Sequence, residues 1–195
     1  MPYIYSEAME AIKHGWPVSV RAMGFEFPED RTAWSCDQQF MLGSRILVAP
    51  VFNEEGDVEF YLPEGRWTSF WDAGMYNYCT VVVRGSRNAN EVIERVLQGP
   101  KWFKEKHDFT TLPLFVRQGT ILVLGNEGEK RTVYDWVKPE NHEVNLFEPN
   151  AESTFQVYDS NGVVAADLTT VEEHGTWKIK GMDARVRRMS RAQNY

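Results

Sequence analysis

Short runs in which apolar and polar residues alternate dominate the chain from residue 57 onward. The run 58–62 ends at Pro63-Glu64-Gly65, and the run 154–158 ends at Asp159-Ser160-Asn161-Gly162. A period of two residues predicts strands that bury one face, and Asn-Gly favours a tight hairpin turn. Further strands are predicted at 66–71, 114–117, 120–124, 143–147, 163–171 and 176–179. Short strands separated by turns predict an antiparallel β-sandwich.

The first 51 residues follow other patterns. The apolar positions that recur with helical spacing are Ile4, Ala8, Met9, Ala11 and Ile12. His14-Gly15 supplies a cation and a glycine of the kind that ends a helix. Residues 17–20 predict a short strand, and the nearly continuous apolar run 45–51 predicts a buried one. The helical pattern is already under way at Met1, so we expect a segment that lacks upstream partners and packs poorly.

Composition excludes several classes of protein. The chain has 195 residues, of which 43% are hydrophobic and 25% charged, a globular balance for one domain or two small ones. A net charge of −7 argues against nucleic-acid binding, and no apolar run approaches the length of a membrane span. Two cysteines and four scattered histidines predict neither a disulfide framework nor a standard zinc site. The sequence has no Asn-x-Ser/Thr sequon, which favours an intracellular location.

Four segments, taken in order, resemble glycoside hydrolase family 31, the retaining α-glucosidases and α-xylosidases, and are most similar to fungal α-xylosidase-like members. The segments are residues 2–6 with 15–23, Glu26-Phe27-Pro28-Glu29-Asp30, residues 37–51, and Leu112-Pro113-Leu114-Phe115-Val116-Arg117-Gln118-Gly119-Thr120-Ile121. The likeness covers residues 1–73 and 94–180. Gln118 departs from the pattern, because the family usually has proline before this glycine.

The resemblance implies a mainly β architecture in three parts. Residues 1–30 are similar to the last helix and strand of the family's β/α barrel, residues 31–125 to its proximal C-terminal antiparallel β-sandwich, and residues 126–180 to the start of a second, distal β-sandwich. The family's nucleophile and acid/base aspartates lie on earlier barrel strands, which this sequence does not contain. We therefore expect no catalytic residue here and no metal or redox cofactor.

The implied function is that of a C-terminal fragment of a retaining α-glycosidase. The parent enzyme would hydrolyse an α-linked oligosaccharide, either an α-xyloside or an α-glucoside, while the isolated chain would be inactive. The alternative is a free-standing β-sandwich module that binds carbohydrate. Residues 1–30 favour the first interpretation, since a binding module has no use for an isolated helix and strand.

Several residues of this sequence carry alternative interpretations. Acidic clusters at turns are expected to be solvated, and they comprise Glu26/Glu29/Asp30, Glu54/Glu55/Asp57 and Glu127/Glu129. Arg21 either points at a sugar pocket or forms an ion pair with Asp30 or Asp37. The aromatic residues that either stack on sugar or fill the core are Trp67, Phe70 and Trp71. Cys36 is expected to be a small buried hydrophobe and not a nucleophile.

Two stretches do not fit the family pattern. Residues 74–93 interrupt the sandwich, and the codons for Gly74-Met75-Tyr76 permit the splice donor GTATGT, while Ile93-Glu94 permits a TAG acceptor. We expect a retained intron, with a genuine surface loop as the alternative. Residues 181–195 turn abruptly basic, which indicates either a second read-through or a basic tail.

Overall fold

The computed structural model describes residues 1–15, 19–71, 95–125, 142–174 and 176–181. Within these ranges the fold is mainly antiparallel β, as predicted. Packing divides the chain into a central unit, Val20–Gln118, and a split unit, Met1–Ser19 with Gly119–Tyr195. The predicted boundaries at 30/31 and 125/126 do not coincide with these units. The origin of residues 1–30 in a barrel stays a prediction.

The central unit contains a six-stranded antiparallel sheet in the order β1-β2-β3-β6-β4-β5. Its strands are β1 (Val20–Ala22), β2 (Phe40–Leu42), β3 (Ile46–Val48), β4 (Asp57–Ser69), β5 (Val96–Lys106) and β6 (Leu114–Arg117). A short helix α2 (Met23–Glu26) follows β1, and a 3-10 turn (Ala33–Ser35) precedes β2. The N-terminal segment therefore contributes an edge strand to a β-sheet.

Large side chains from five elements fill the core of the central unit. The fully buried members are Met23, Met41, Leu47, Phe60, Leu62, Trp67 and Phe115. Leu47 on β3 pairs with Phe115 on β6, which confirms that these two predicted strands share a sheet. The indole N–H of Trp67 donates to the Pro63 carbonyl at 2.9 Å, so burial leaves this polar group satisfied.

Strand β4 is one long strand, whereas the sequence predicted two strands with a turn at Pro63-Glu64-Gly65. The structure retains these residues in the ladder, and the register with β5 shifts between Leu62 and Gly65. Opposite them lies Gly99, where an added Cβ would lie 2.0 Å from the Pro63 oxygen. Glycine at position 99 lets the two backbones approach, so the chain bulges there and does not turn.

Among the described residues, the split unit contains helix α1 and five strands. They are α1 (Pro2–His14), β7 (Thr120–Gly125), β8 (His142–Phe147), β9 (Thr154–Tyr158), β10 (Val164–Glu173) and β11 (Thr176–Lys180). β7 pairs with β8, and β11-β10-β9 form a three-stranded sheet. Ile121 and Val123, expected in the same domain as β3, are buried here in β7. β7 takes its partner β8 from residues further along the chain, and a common domain for β3 and β7 stays a prediction.

The predicted hairpin around Asn161-Gly162 is confirmed. The Asp159 N–H donates to the Val163 carbonyl at 2.9 Å, and the Gly162 N–H donates to the Asp159 carbonyl at 3.0 Å. Gly162 has φ +74°, a left-handed conformation that glycine adopts without steric cost. The turn joins β9 to β10, as the alternating pattern indicated.

Helix α1 packs within the split unit, which contradicts the expectation of poor packing for the N-terminal segment. Tyr3 is buried and its ring lies 5.7 Å from that of Phe155. The Ser6 hydroxyl accepts the Tyr158 N–H at 3.2 Å, and the Tyr158 hydroxyl donates to Glu10. Burial, together with the bond to Glu10, raises the pKa of Tyr158 to about 12. The polar and aromatic face of the helix makes these contacts.

The apolar positions that predicted the helix do not all contribute to its docking. Ile4 is 42% exposed and Ile12 is 76% exposed. The helix ends as predicted, with Gly15 at φ +69° and its N–H donating to the Ala11 carbonyl. None of the described helices is long and apolar enough to cross a membrane.

Replacing Tyr3 with alanine tests the docking of α1. The Tyr3→Ala change removes a buried ring and its contact with Phe155, so we expect it to lower the free energy of unfolding by about 2–4 kcal/mol. Urea titration followed by circular dichroism measures the loss. Ile12→Ala, at an exposed position of the same helix, is the matched control and should change it by less than about 0.5 kcal/mol. Equal midpoints for both variants would show that α1 is not docked.

The strands on either side of the predicted insertion are paired with each other. Thr68 is opposite Val96, and the Ser69 N–H donates to the Arg95 carbonyl at 2.8 Å. Residues 74–93 lie outside the described residues, so the insertion stays a prediction. Without them, the connection from Ser69 to Arg95 would consist of residues 70–73 and 94. Such a length is usual for a hairpin loop.

Deleting residues 74–93 should therefore leave the central unit folded. A shorter connection has a smaller entropic cost of loop closure on folding, so we expect the free energy of unfolding to rise by about 1 kcal/mol. Thermal melting of the purified variant measures the change. A deletion of equal length at 64–83 is the control, because it removes part of β4 and should abolish folding. A 74–93 deletion that also fails to fold would identify the segment as an integral loop.

Candidate functional site

Arg21, Glu26, Phe27 and Arg117 form a charged cluster, here called the Arg21 cluster, where β1 ends and α2 reverses the chain. Arg21 Nη1 donates to Glu26 Oε2 at 2.5 Å, and Arg117 Nη1 lies 3.4 Å from Glu26 Oε1. The Arg117 guanidinium also lies over the Phe27 ring, 5.3 Å from its centroid. The side chains of Arg21 and Glu26 are 17% and 12% exposed. Arg21 thus follows the ion-pair alternative, with Glu26 as a partner.

Two of the acids expected to be solvated are structural instead. Glu26 has both oxygens engaged by arginines. Asp30 accepts the Tyr61 hydroxyl at Oδ2, at 2.7 Å, and the Thr32 N–H at Oδ1, at 2.9 Å. The solvated expectation was wrong for both, because each lies beside donors that the fold brings from distant strands. It was correct for Glu29, as it was for Glu54, Glu55 and Asp57, which are exposed. Glu127 and Glu129 lie outside the described residues.

Cys36 lies near Asp30 and packs as a small hydrophobic residue. It is partly buried against the core of the central unit, and its thiol donates to the Thr32 carbonyl at 3.3 Å. Burial, together with the charges of Asp30 and Asp37, raises the pKa of Cys36 to about 11. Burial and the bond to Asp30 likewise raise the pKa of Tyr61 to about 12. Thiolate is scarce at neutral pH under these conditions, so Cys36 is not an activated nucleophile.

A second polar cluster joins the end of β5 to the loop before β6. His107 Nε2 lies 2.9 Å from Glu105 Oε2, and its Nδ1 lies 3.1 Å from the Thr111 hydroxyl. Arg95 donates to the other oxygen of Glu105 at 2.6 Å. Burial raises the pKa of Glu105, but the hydrogen bonds from His107 and Arg95 outweigh it and lower the pKa below its usual value. Both ring nitrogens of His107 are occupied, which suits a structural tie between strand and loop.

The aromatic residues weighed as a sugar platform occupy the interior. Trp67 and Phe70 are buried, which confirms the core alternative for both. Trp71 is half-buried and donates its indole N–H to the Leu112 carbonyl at 2.7 Å. Trp34, a residue that is 68% exposed, is not among the candidates that the sequence indicated. The available signal was its place in a run of polar residues, 29–38, where little apolar sequence surrounds it.

The described residues contain no group of three or more side chains suited to a metal ion. They present three acids held in ion pairs or hydrogen bonds (Glu26, Asp30 and Glu105), a thiol with a raised pKa, and exposed indoles at Trp34 and Trp102. These features suit a structural scaffold with a surface for recognition.

Comparison with known proteins assigns this scaffold. Residues 15–122 match the model of the glycosyl hydrolase family 31 C-terminal domain. The chain is 34% identical to the α-xylosidase XylQ of Lactiplantibacillus pentosus over 90% of its own length and 20% of that protein. It is 36% identical to an α-xylosidase of Emericella nidulans over 66% of its length and 15% of that protein. The chain thus spans about a fifth or less of the relatives it matches.

Solved structures agree on the fold. A family 31 dextranase from Flavobacterium johnsoniae, in complex with isomaltotriose, superposes with a TM-score of 0.67 at 25% identity, over 91% of this chain and 20% of that one. A cycloalternan-forming enzyme from Listeria monocytogenes, in complex with a pentasaccharide substrate, gives 0.67 at 27% identity over 88% of this chain and 15% of that one.

Alkylation of Cys36 tests its raised pKa. In a Cys79→Ser background the chain keeps one thiol, and a pKa near 11 lowers its thiolate fraction at pH 7.5 roughly 100-fold below that of a free cysteine. We expect iodoacetamide to react correspondingly slowly, and the rate to rise with pH up to about 11. Mass spectrometry of the intact protein measures the rate, and the same protein in urea is the control. A rate that levels off near pH 8–9 would contradict the raised pKa.

Proposed function

The chain belongs to glycosyl hydrolase family 31, and we propose that it is a C-terminal β region of a retaining α-glycosidase that does not itself carry the catalytic carboxylates. The observation that carries the proposal is the match of residues 15–122 to the family's C-terminal domain. The sheet β1-β2-β3-β6-β4-β5, whose strands run from Val20 to Arg117, lies wholly within that match.

The chemistry of a retaining glycosidase supports this assignment. Such an enzyme needs two carboxyl groups about 5 Å apart, one to attack the sugar and one to transfer the proton. The partly buried acids Glu26 and Asp30 have both oxygens engaged by Arg21, Arg117, Tyr61 and Thr32. Carboxylates held in this way stabilise the fold and are not placed to act on a substrate. In our proposal the reacting carboxylates belong to residues outside this sequence.

The identities of the relatives support one choice of substrate class. Two α-xylosidases are 34% and 36% identical to this chain, whereas an α-glucosidase of Bacillus thermoamyloliquefaciens is 26% identical. We therefore propose an α-xyloside as the substrate of the complete enzyme, with an α-glucoside as the second choice.

A free-standing module that binds carbohydrate is the rival interpretation. The argument that such a module has no use for residues 1–30 loses its force, because α1 packs within the split unit and β1 pairs with β2. The match to a domain of a glycosidase family remains as the ground for preferring the enzyme region. An activity assay does not distinguish these two interpretations, but it tests whether the chain alone is catalytic.

The purified chain should be catalytically silent. We expect no release of 4-nitrophenol from its α-xyloside or α-glucoside above a buffer blank, because in our proposal the two reacting carboxylates belong to residues outside this sequence. The same preparation mixed with an active family 31 α-xylosidase is the positive control. Turnover that co-purifies with the chain and is lost in Glu26→Gln or Asp30→Asn would contradict the proposal.

A further inference from the structure

Trp34 is an exposed aromatic ring that the fold holds in one orientation. Its side chain is 68% exposed, yet its indole N–H donates to the Pro28 carbonyl at 3.0 Å. The indole lies against Gly24, where an added Cβ would be 2.8 Å from Trp34 Cδ2. A hydrogen bond and a backbone contact therefore fix the ring before any ligand arrives. A ligand would incur little of the usual entropic cost of ordering this side chain.

The loop that carries the ring is itself rigidly built. The Asp30 carboxylate accepts the Thr32 N–H, and the Ser35 hydroxyl donates to the Thr32 carbonyl at 2.8 Å. Asp30 also accepts the hydroxyl of Tyr61 on β4, which anchors the loop to the sheet. The exposed face of Trp34 is consequently a preformed feature of the central unit.

The neighbours of Trp34 in the chain favour a sugar as its ligand. Residues 29–38 include one large apolar side chain that is exposed, Trp34, and the other exposed side chains there are polar: Glu29, Arg31, Ser35, Asp37 and Gln38. The residues that Trp34 contacts bring further exposed apolar surface, namely Pro28 itself and Phe25, which follows Gly24 and is 43% exposed, so a second copy of the chain is the other occupant that the test must exclude. A sugar ring has one apolar C–H face and a rim of hydroxyl groups. It suits a flat indole bordered by carboxylate, guanidinium and amide groups.

We propose that Trp34 is a carbohydrate-stacking residue and that its exposed face binds one ring of an α-linked oligosaccharide. The N–H is already bonded to Pro28, so recognition uses the face of the ring, and the flanking polar side chains supply the hydrogen bonds. The choice of an α-linked sugar rests on the proposed function. The position of a stacking ring on the central unit would let this region hold substrate while other residues perform the chemistry.

Titration of the full chain with isomaltotriose, followed by NMR of the tryptophan indole N–H groups, tests the proposal. Trp102 is the matched control, since it is 44% exposed on β5, where its ring packs against that of Tyr61 at 5.4 Å. We expect a saturable shift of the Trp34 signal. Trp34→Ala should weaken binding by about tenfold or more, and Trp34→Phe by less. Trp102→Ala should stay within about twofold of the parent chain.

Three results would overturn the proposal. The first is equal binding by Trp34→Ala, Trp102→Ala and the parent chain, and the second is no binding by the parent chain. The third is a dimer that Trp34→Ala converts to monomer in light scattering, which would assign the face to a second copy of the chain. None of these results alters the expected absence of turnover, and turnover would leave sugar binding at Trp34 untouched. Failure of this proposal is therefore distinguishable from failure of the proposed function.

Discussion

The position of strand β4 between β5 and β6 is the constraint on which the central unit depends. Trp67 on this strand is fully buried and pairs with Leu97 on one side and Arg117 on the other. The pairing with β6 places Arg117 where its guanidinium reaches Glu26, and β6 in turn pairs with β3. A buried indole that donates to its own strand at Pro63 cannot rotate outward without losing both its packing and its hydrogen bond. The charged cluster near β1 is thus a consequence of how β4 is seated.

A buried glutamine, Gln39, connects strand β4 to the loop that precedes β2. The Gln39 side chain donates to the Tyr61 carbonyl and accepts the Tyr61 N–H, both at 2.7 Å. It thereby completes the hydrogen bonding of a β4 residue in place of a neighbouring strand. The Tyr61 hydroxyl then reaches Asp30, which fixes the loop that presents Trp34. One side-chain amide and one phenol therefore connect the long strand to the exposed indole.

Sequence reasoning predicted the parts of this arrangement that depend on local pattern. The hairpin at Gly162, the end of α1 at Gly15 and the buried strand at Leu47 each follow from a short run of residues. What it could not predict depends on contacts between distant residues. The joining of 58–62 to 66–69 in one strand requires Gly99 on the facing strand, which no pattern within 57–71 indicates.

The candidate site shows the same division between local and distant information. That Glu26 and Asp30 sit at a turn is evident from sequence, and turns usually solvate their acids. Their engagement requires Arg117 and Tyr61, which lie 91 and 31 residues away. The exposure of Trp34 was not predicted, because a large aromatic side chain is normally expected in the core. Trp67 and Phe70 follow that expectation, whereas Trp34 does not.

The arrangement of charge in the central unit also fits our proposal that this β region serves an enzyme without performing its chemistry. A catalytic carboxylate must keep an oxygen available to the substrate, which leaves it poorly compensated in the resting protein. Glu26 and Asp30 are compensated on both oxygens, so they stabilise the junction of β1, β4 and β6 and give up any reactive role. Trp34 is the reverse case, since a large apolar surface is left exposed although the fold has rigid means of holding it. Two compensated acids beside a fixed, exposed indole together fit the proposal that this region recognises a ligand and leaves the chemistry to other residues.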